Sequence, residues 1–239
     1  VITKNQIKFI KGLSLKKNRI ASQCFVVEGE KNVAELITSD FEIIQLFATT
    51  QSTIKTKDNI VIQITNNNLE RISTLKSPNK VLAIVKIPEE KQLKNTGMTL
   101  VLDNINDPGN LGTIIRLCDW FGVKQLICSR ETVDCYNSKV VQASMGSLTR
   151  VSISYLNLAA YLETVSSPIF VADMDGVSVY KSQLPSSAIL VMGNEANGIS
   201  EPIKQLISNK LSIPRYGNSQ QAESLNVASA TAILLNEFR

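Results

Sequence analysis

From residue 98 onward the sequence repeats one pattern: a short apolar run, a polar turn, then a stretch with helical spacing. The runs 98–103, 123–128, 148–154, 169–172, 188–192 and 211–213 predict strands. The stretches 111–121, 138–145, 158–164, 201–208 and 225–238 predict helices. Apolar strands separated by helices point to a mostly parallel α/β sheet covered on both faces. The residues before 88 alternate on a shorter scale, with strands expected at 24–27, 43–47, 60–64 and 81–87 and helices at 31–38 and 68–75. A polar stretch over 88–97 parts the two patterns, which places one domain at 1–93, a linker at 94–97 and a second domain at 98–239. At 239 residues and 44% hydrophobic content, both halves have enough apolar side chains to build a core.

The composition removes several kinds of chemistry. Histidine is absent, so mechanisms built on an imidazole base and most zinc sites are excluded. Cys24, Cys118, Cys128 and Cys135 show no C-x-x-C spacing and read as reduced, mostly buried thiols of a cytosolic protein, not as metal ligands. Neither a G-x-G-x-x-G string nor a Walker loop occurs, which disfavours Rossmann and P-loop nucleotide sites. No apolar run approaches the ~20 residues that cross a bilayer, so no membrane partner is expected and the expected location is the cytoplasm. Charge is unevenly placed: residues 1–97 carry 15 Lys/Arg against 9 Asp/Glu, and residues 98–239 carry 10 against 12. Lys4, Lys8, Lys11, Lys16, Lys17 and Arg19 fall in the first 20 residues, where no acidic residue occurs. That segment is either a solvated terminus or a phosphate-facing surface suited to a polyanion such as RNA.

A parallel sheet holds its ligand at the carboxyl ends of its strands, and three segments rich in Asn, Gly, Glu and Pro fall there. The first is 102-LDNINDPGNLGTIIRLCDWFG-122, with Asn110 as the expected helix cap. Gly112 lies in the first turn, and Arg116 follows four residues later, as either a surface cation or a site residue. The second is 190-LVMGNEANGIS-200, and the third is 211-LSIPRYGNSQQAESLNVASATAILLNEF-238. Ser224 is placed to cap the last helix, which competes with a role in chemistry.

Taken together and in this order, the three segments resemble the SpoU (TrmH) family of the SPOUT superfamily, the S-adenosylmethionine-dependent RNA ribose 2'-O-methyltransferases. The resemblance covers nearly all of residues 98–239. The strings 25-FVVEGEKNVAELI-37 and 77-SPNKVLAIVK-86 extend it to an L30e-like substrate-binding domain ahead of the catalytic one. What it implies is an α/β SPOUT domain with a parallel sheet and a deep trefoil knot, S-adenosylmethionine as cofactor, a homodimer, and ribosomal RNA as partner. Transfer RNA, or an RNA-binding role without turnover, is the alternative. The resemblance places Arg116, Asn104, Asn110, Glu195, Ser224 and Asn226 in catalysis. It places Met192, Gly193, Asn194, Gly198, Ile213 and Leu225 at the cofactor. The six basic residues of the first segment, together with Arg215, are expected to meet RNA. The chain departs from many relatives at Arg215, which stands where they have Met, and in the longer loop from Tyr216 to Gln221 before Glu223.

Overall fold

A computed structural model of the protein describes residues 2–56, 60–94, 96–216 and 224–239. In chain order the first elements are α1 (Lys4–Gly12), α2 (Lys16–Ser22), β1 (Cys24–Glu28), α3 (Glu30–Ile37), β2 (Ile43–Ala48), β3 (Val61–Gln63), α4 (Asn66–Ile72) and β4 (Val81–Lys86). They continue with β5 (Thr99–Leu102), α5 (Pro108–Trp120), β6 (Gln125–Ser129), α6 (Ser138–Ser144), β7 (Ser152–Leu156), α7 (Leu158–Thr164), β8 (Ile169–Ser178), β9 (Ile189–Met192), α8 (Glu201–Leu206), β10 (Lys210–Ser212) and α9 (Val227–Glu237). The chain forms two compact units, Val1–Glu89 with Asp134–Arg150, and Glu90–Val133 with Val151–Arg239. The first crossing lies next to the linker expected at 94–97, whereas the excursion of Asp134–Arg150 into the first unit has no local signature in the sequence.

The first unit is built on a mixed sheet in the order β1-β4-β2-β3. Strand β4 runs antiparallel to both β1 and β2, and β3 pairs parallel to β2. Strands β1 and β4 are apolar almost throughout and buried on both faces, the pattern of a sheet covered on each side. One face packs Ile10, Leu13, Phe47, Leu69, Ile72 and Leu82 into a core. The basic opening segment is not a frayed tail. Thr3 caps α1 by accepting from the Gln6 N–H at 3.2 Å, while the Thr3 N–H donates to Gln6 Oε1 at 2.9 Å, a reciprocal capping box.

Lys4, Lys8, Lys11, Lys16 and Lys17 are exposed, but Arg19 corrects the sequence expectation. Its side chain is 3% exposed. Nε donates to Asp134 Oδ2 at 2.9 Å, and Nη1 donates to the carbonyls of Leu13 at 2.8 Å and Ser14 at 2.9 Å. A guanidinium with its donors engaged inside the unit is a structural brace and does not meet phosphate.

The second unit contains a six-stranded sheet, β10-β8-β9-β5-β6-β7, parallel at every pair. Strands β5, β6 and β9 are buried along their whole length, as a sheet with covered faces requires. The chain runs outward from β5 through β6 to β7, then returns to the other side of β5 for β8, β9 and β10, so the order reverses between β5 and β9. Such a reversal opens a crevice at the carboxyl ends of the two strands. The strand expected at 148–154 starts later, at Ser152, because Met145 and Gly146 both take positive φ and residues Ser147–Thr149 form a 3-10 turn.

None of the four cysteines forms a disulfide and all are buried, and burial pushes the Cys24 and Cys118 thiols above their ordinary range. Iodoacetamide at pH 8 is therefore expected to leave the native protein unmodified and to add four alkyl groups after denaturation. Mass spectrometry of both samples checks this, and rapid labelling of the native chain would contradict the burial.

Candidate active site

Strands β5 and β9 end side by side, Leu102 opposite Met192, and the loops that leave them are locked to each other. The buried Asp103 donates its N–H to the Met192 carbonyl at 2.9 Å, and its Oδ2 accepts from the Ser200 N–H at 2.6 Å. Asn104 follows in the left-handed region, at φ 58°. Its N–H donates to Ser129 Oγ at 3.0 Å and its carbonyl accepts from Asn194 Nδ2 at 2.7 Å. Across the second loop, Asn194 and Gly198 exchange backbone hydrogen bonds of 2.9 and 2.8 Å. Gly193 is required for this closure, because a Cβ there would stand 2.4 Å from the Gly198 carbonyl carbon.

The helix that follows β5 begins earlier than expected. Asp107 is its N-cap, accepting from the Asn110 N–H at 2.7 Å, and Pro108 takes the first helical position, where its missing N–H costs nothing. Asn110 is therefore not the cap, and its side chain turns to the neighbouring loop. Asn110 Nδ2 donates to Glu195 Oε1 at 2.8 Å. Asn226 Nδ2 donates both to Asn110 Oδ1 at 2.8 Å and to Glu195 Oε1 at 3.0 Å, and the Val227 N–H reaches the same carboxylate oxygen at 3.2 Å. Asn226 also caps α9, its Oδ1 accepting from the N–H groups of Ala228 at 3.1 Å and Ser229 at 3.2 Å. The cap expected at Ser224 is thus corrected to Asn226, two residues on.

Counting donors and acceptors separates braces from free groups. The amide of Asn226 is fully used, so it positions its neighbours. Asn110 keeps one N–H, and Glu195 keeps Oε2 for a further partner. The Arg116 side chain is exposed on α5 and makes no hydrogen bond or ion pair with any described residue. The structure thus joins Asn104, Asn110, Asn194, Glu195 and Asn226, and leaves Arg116 and Ser224 outside that network. Leu225 is 51% exposed and Ile213 half-buried, offering apolar surface. Met192 is sealed in the core, so its side chain offers no exposed surface to a cofactor. The exposed Arg215 donates from Nη2 to Met174 Sδ at 3.0 Å. Within the loop from Tyr216 to Gln221, residues 217–221 lie outside the described residues, as does Glu223. Sequence reading missed Asp103 and Asp107. The Asp-Pro pair ahead of a helical stretch was a signal for the second, and nothing local marked the first.

Replacing Asn226 by Asp tests the network while keeping a good helix cap. Asn226→Asp sets a carboxylate oxygen against Glu195 Oε1 and Asn110 Oδ1 where an N–H had been. Turnover at this site is expected to fall about 10²-fold through misplacement, with helix content by circular dichroism unchanged. Wild-type turnover would contradict the bracing role.

A parallel α/β sheet whose strand-end loops join at the switch point, with polar side chains turned into the junction, defines a ligand-binding enzyme of the doubly wound class. The model of the SpoU rRNA Methylase family matches residues 97–236, and that of the MRM3-like substrate binding domain matches residues 4–83. The chain belongs to the SpoU rRNA methylase family. It is 30% identical to the 23S rRNA (guanosine(2553)-2'-O)-methyltransferase RlmP of Bacillus subtilis (strain 168), over 99% of this chain and 97% of that one. A solved structure from Porphyromonas gingivalis, assigned to the TrmH family of RNA methyltransferases, shares 38% identity at a TM-score of 0.90, covering 100% of this chain and 98% of its own. An AdoMet-bound rRNA methyltransferase from Sinorhizobium meliloti shares 26% identity at a TM-score of 0.87, covering 100% and 96%.

Proposed function

We propose that the protein transfers a methyl group from S-adenosylmethionine to a ribose 2'-hydroxyl of ribosomal RNA, with 23S rRNA as substrate. The observation that carries this is the Asn110–Glu195–Asn226 network, which ties the loops after β5 and β9 and the start of α9 into one centre. Similarity to the Bacillus subtilis enzyme along almost the whole chain supports the choice of RNA. The cofactor bound in the Sinorhizobium meliloti relative supports the choice of methyl donor.

The residues present fit that donor. Ile213 and Leu225 offer apolar surface to an adenine, and the closed loop from Gly193 to Gly198 presents backbone groups with no side chain at either end. No group of residues able to hold a metal ion occurs among the described residues. When bound, S-adenosylmethionine supplies the methyl group and a sulfonium leaving group. Arg116 holds the nucleotide phosphate and stabilises negative charge on the ribose oxygen as its proton leaves. Ser224, a phosphate oxygen or water takes that proton. Asn110 orients the nucleotide with its remaining N–H, and Glu195 and Asn226 hold Asn110 in place. Lys4, Lys8, Lys11, Lys16, Lys17 and Arg215 contact RNA phosphates. In this reading the second unit carries a trefoil knot, and the protein acts as a homodimer in the cytoplasm.

Mapping 2'-O-methyl positions in total RNA from cells with and without the protein tests it. Loss of one ribose methylation in 23S rRNA is expected. A lost site in transfer RNA would reassign the substrate, and no change in any RNA would contradict methyl transfer.

A further inference from the structure

Within the first unit, α1 and α2 surround a surface hollow of about 340 Å³, lined by Asn5, Lys8, Phe9, Gly12, Leu13 and Asn18. Asn5, Phe9 and Gly12 recur at helical spacing and so share one face of α1. The turn beneath them is held by side chains of α2. Asn18 Nδ2 donates to the Gly12 carbonyl at 2.8 Å, and Arg19 Nη1 donates to the carbonyls of Leu13 and Ser14 at 2.8 and 2.9 Å. With Arg19 anchored on Asp134, three consecutive carbonyls are fixed and the hollow is preformed. Leu13 is buried, but Phe9 is 43% exposed. Gly12 has no positive φ to account for it. A Cβ at that position would meet Asn18 Nδ2 at 3.2 Å, so glycine keeps the space between the two helices open.

The polar groups at the rim are unspent. The Asn5 side chain makes no hydrogen bond with a described residue, and Asn18 Oδ1 accepts none. Lys4, Lys8, Lys11 and Lys17 are exposed and in no ion pair with a described residue. The first acidic residue of the chain is Glu28.

We propose that this hollow is a nucleobase subsite that takes one unpaired nucleotide of the RNA substrate. The base stacks on Phe9, its edge meets the amides of Asn5 and Asn18, and its phosphates lie against Lys8 and the neighbouring lysines. An exposed aromatic ring, amide groups and cations without a carboxylate are the set that single-stranded RNA engages. An acidic peptide uses the lysines and leaves the ring and the amides without a role. Stacking tolerates any base, so the subsite grips the strand more than it reads sequence. This rests on RNA being the substrate.

The test compares wild type, Phe9→Ala and Phe9→Trp in the full-length protein. The readouts are binding to a fluorescein-labelled single-stranded 12-nucleotide RNA, binding to a blunt RNA duplex of the same length, and methyl transfer to a 23S rRNA transcript. Phe9→Ala is expected to weaken single-strand binding about 5- to 30-fold, to change duplex binding less than twofold, and to raise KM for the transcript. Phe9→Trp restores binding. Lys8→Ala lowers the salt dependence of single-strand binding by about 0.7 of a unit of slope. Equal single-strand affinity for Phe9→Ala and wild type, with the wild type active on the transcript, overturns the subsite alone. A wild type that methylates no RNA overturns the substrate assignment, and the subsite with it.

Discussion

Arg116→Ala is expected to bind S-adenosylmethionine within about threefold of wild type while turnover on ribosomal RNA falls about 10²- to 10³-fold, the usual cost of removing one group that stabilises developing charge. Arg116 is exposed and free of partners among the described residues, so its loss leaves no buried charge and the fold stays intact. The effect therefore falls on the chemical step. Arg116→Lys keeps the charge but loses the planar fork that holds a phosphate at two points, and should recover only part of the loss. Single-turnover transfer of a labelled methyl group, with calorimetric titration of the cofactor, separates the two readouts. Turnover within tenfold of wild type for Arg116→Ala would remove the arginine from catalysis.

The largest effect on stability belongs to the other arginine of interest. Arg19→Ala leaves Asp134, itself only 15% exposed, without its cation, and frees the carbonyls of Leu13 and Ser14. Breaking a buried pair from one side costs about 3–5 kcal/mol, and the residual exposure of Asp134 places this case near 3 kcal/mol. The melting temperature should fall by about 10 °C. The double variant Arg19→Met with Asp134→Leu removes both charges and should recover much of that loss, since a well-packed apolar pair does nearly as well as a buried ion pair. Thermal melts of the three proteins settle the matter. An unchanged melting temperature for Arg19→Ala would show that the pair contributes nothing.

These two arginines show where the sequence was legible. Arg116 sits within a dense string of Asn, Asp, Pro and Gly, and such a string at a strand end announces a site by its composition alone. Arg19 sits in a run of five lysines, and a count of charges treats a buried brace and a solvated side chain alike. Strands β5, β6 and β9 were readable because each is a mostly apolar run buried along its whole length. The starts of α5 and α9 were misplaced by a few residues, because Asp107 and Asn226 each compete with a neighbour of equal capping power. The Asn110–Glu195–Asn226 network joins residues 85 and 31 positions apart. The resemblance grouped them in one site, but only the fold shows which atom meets which. The same holds for Asp134–Arg150, which joins the first unit through contacts more than 100 residues apart.

The most direct measurement incubates the protein with S-adenosylmethionine carrying a labelled methyl group and a 23S rRNA transcript, then digests the RNA to nucleosides for mass spectrometry. The label is expected in a single 2'-O-methylated nucleoside, absent from the Arg116→Ala reaction. Label on a base, or no label in RNA despite measured cofactor binding, would contradict methyl transfer to ribose at this site.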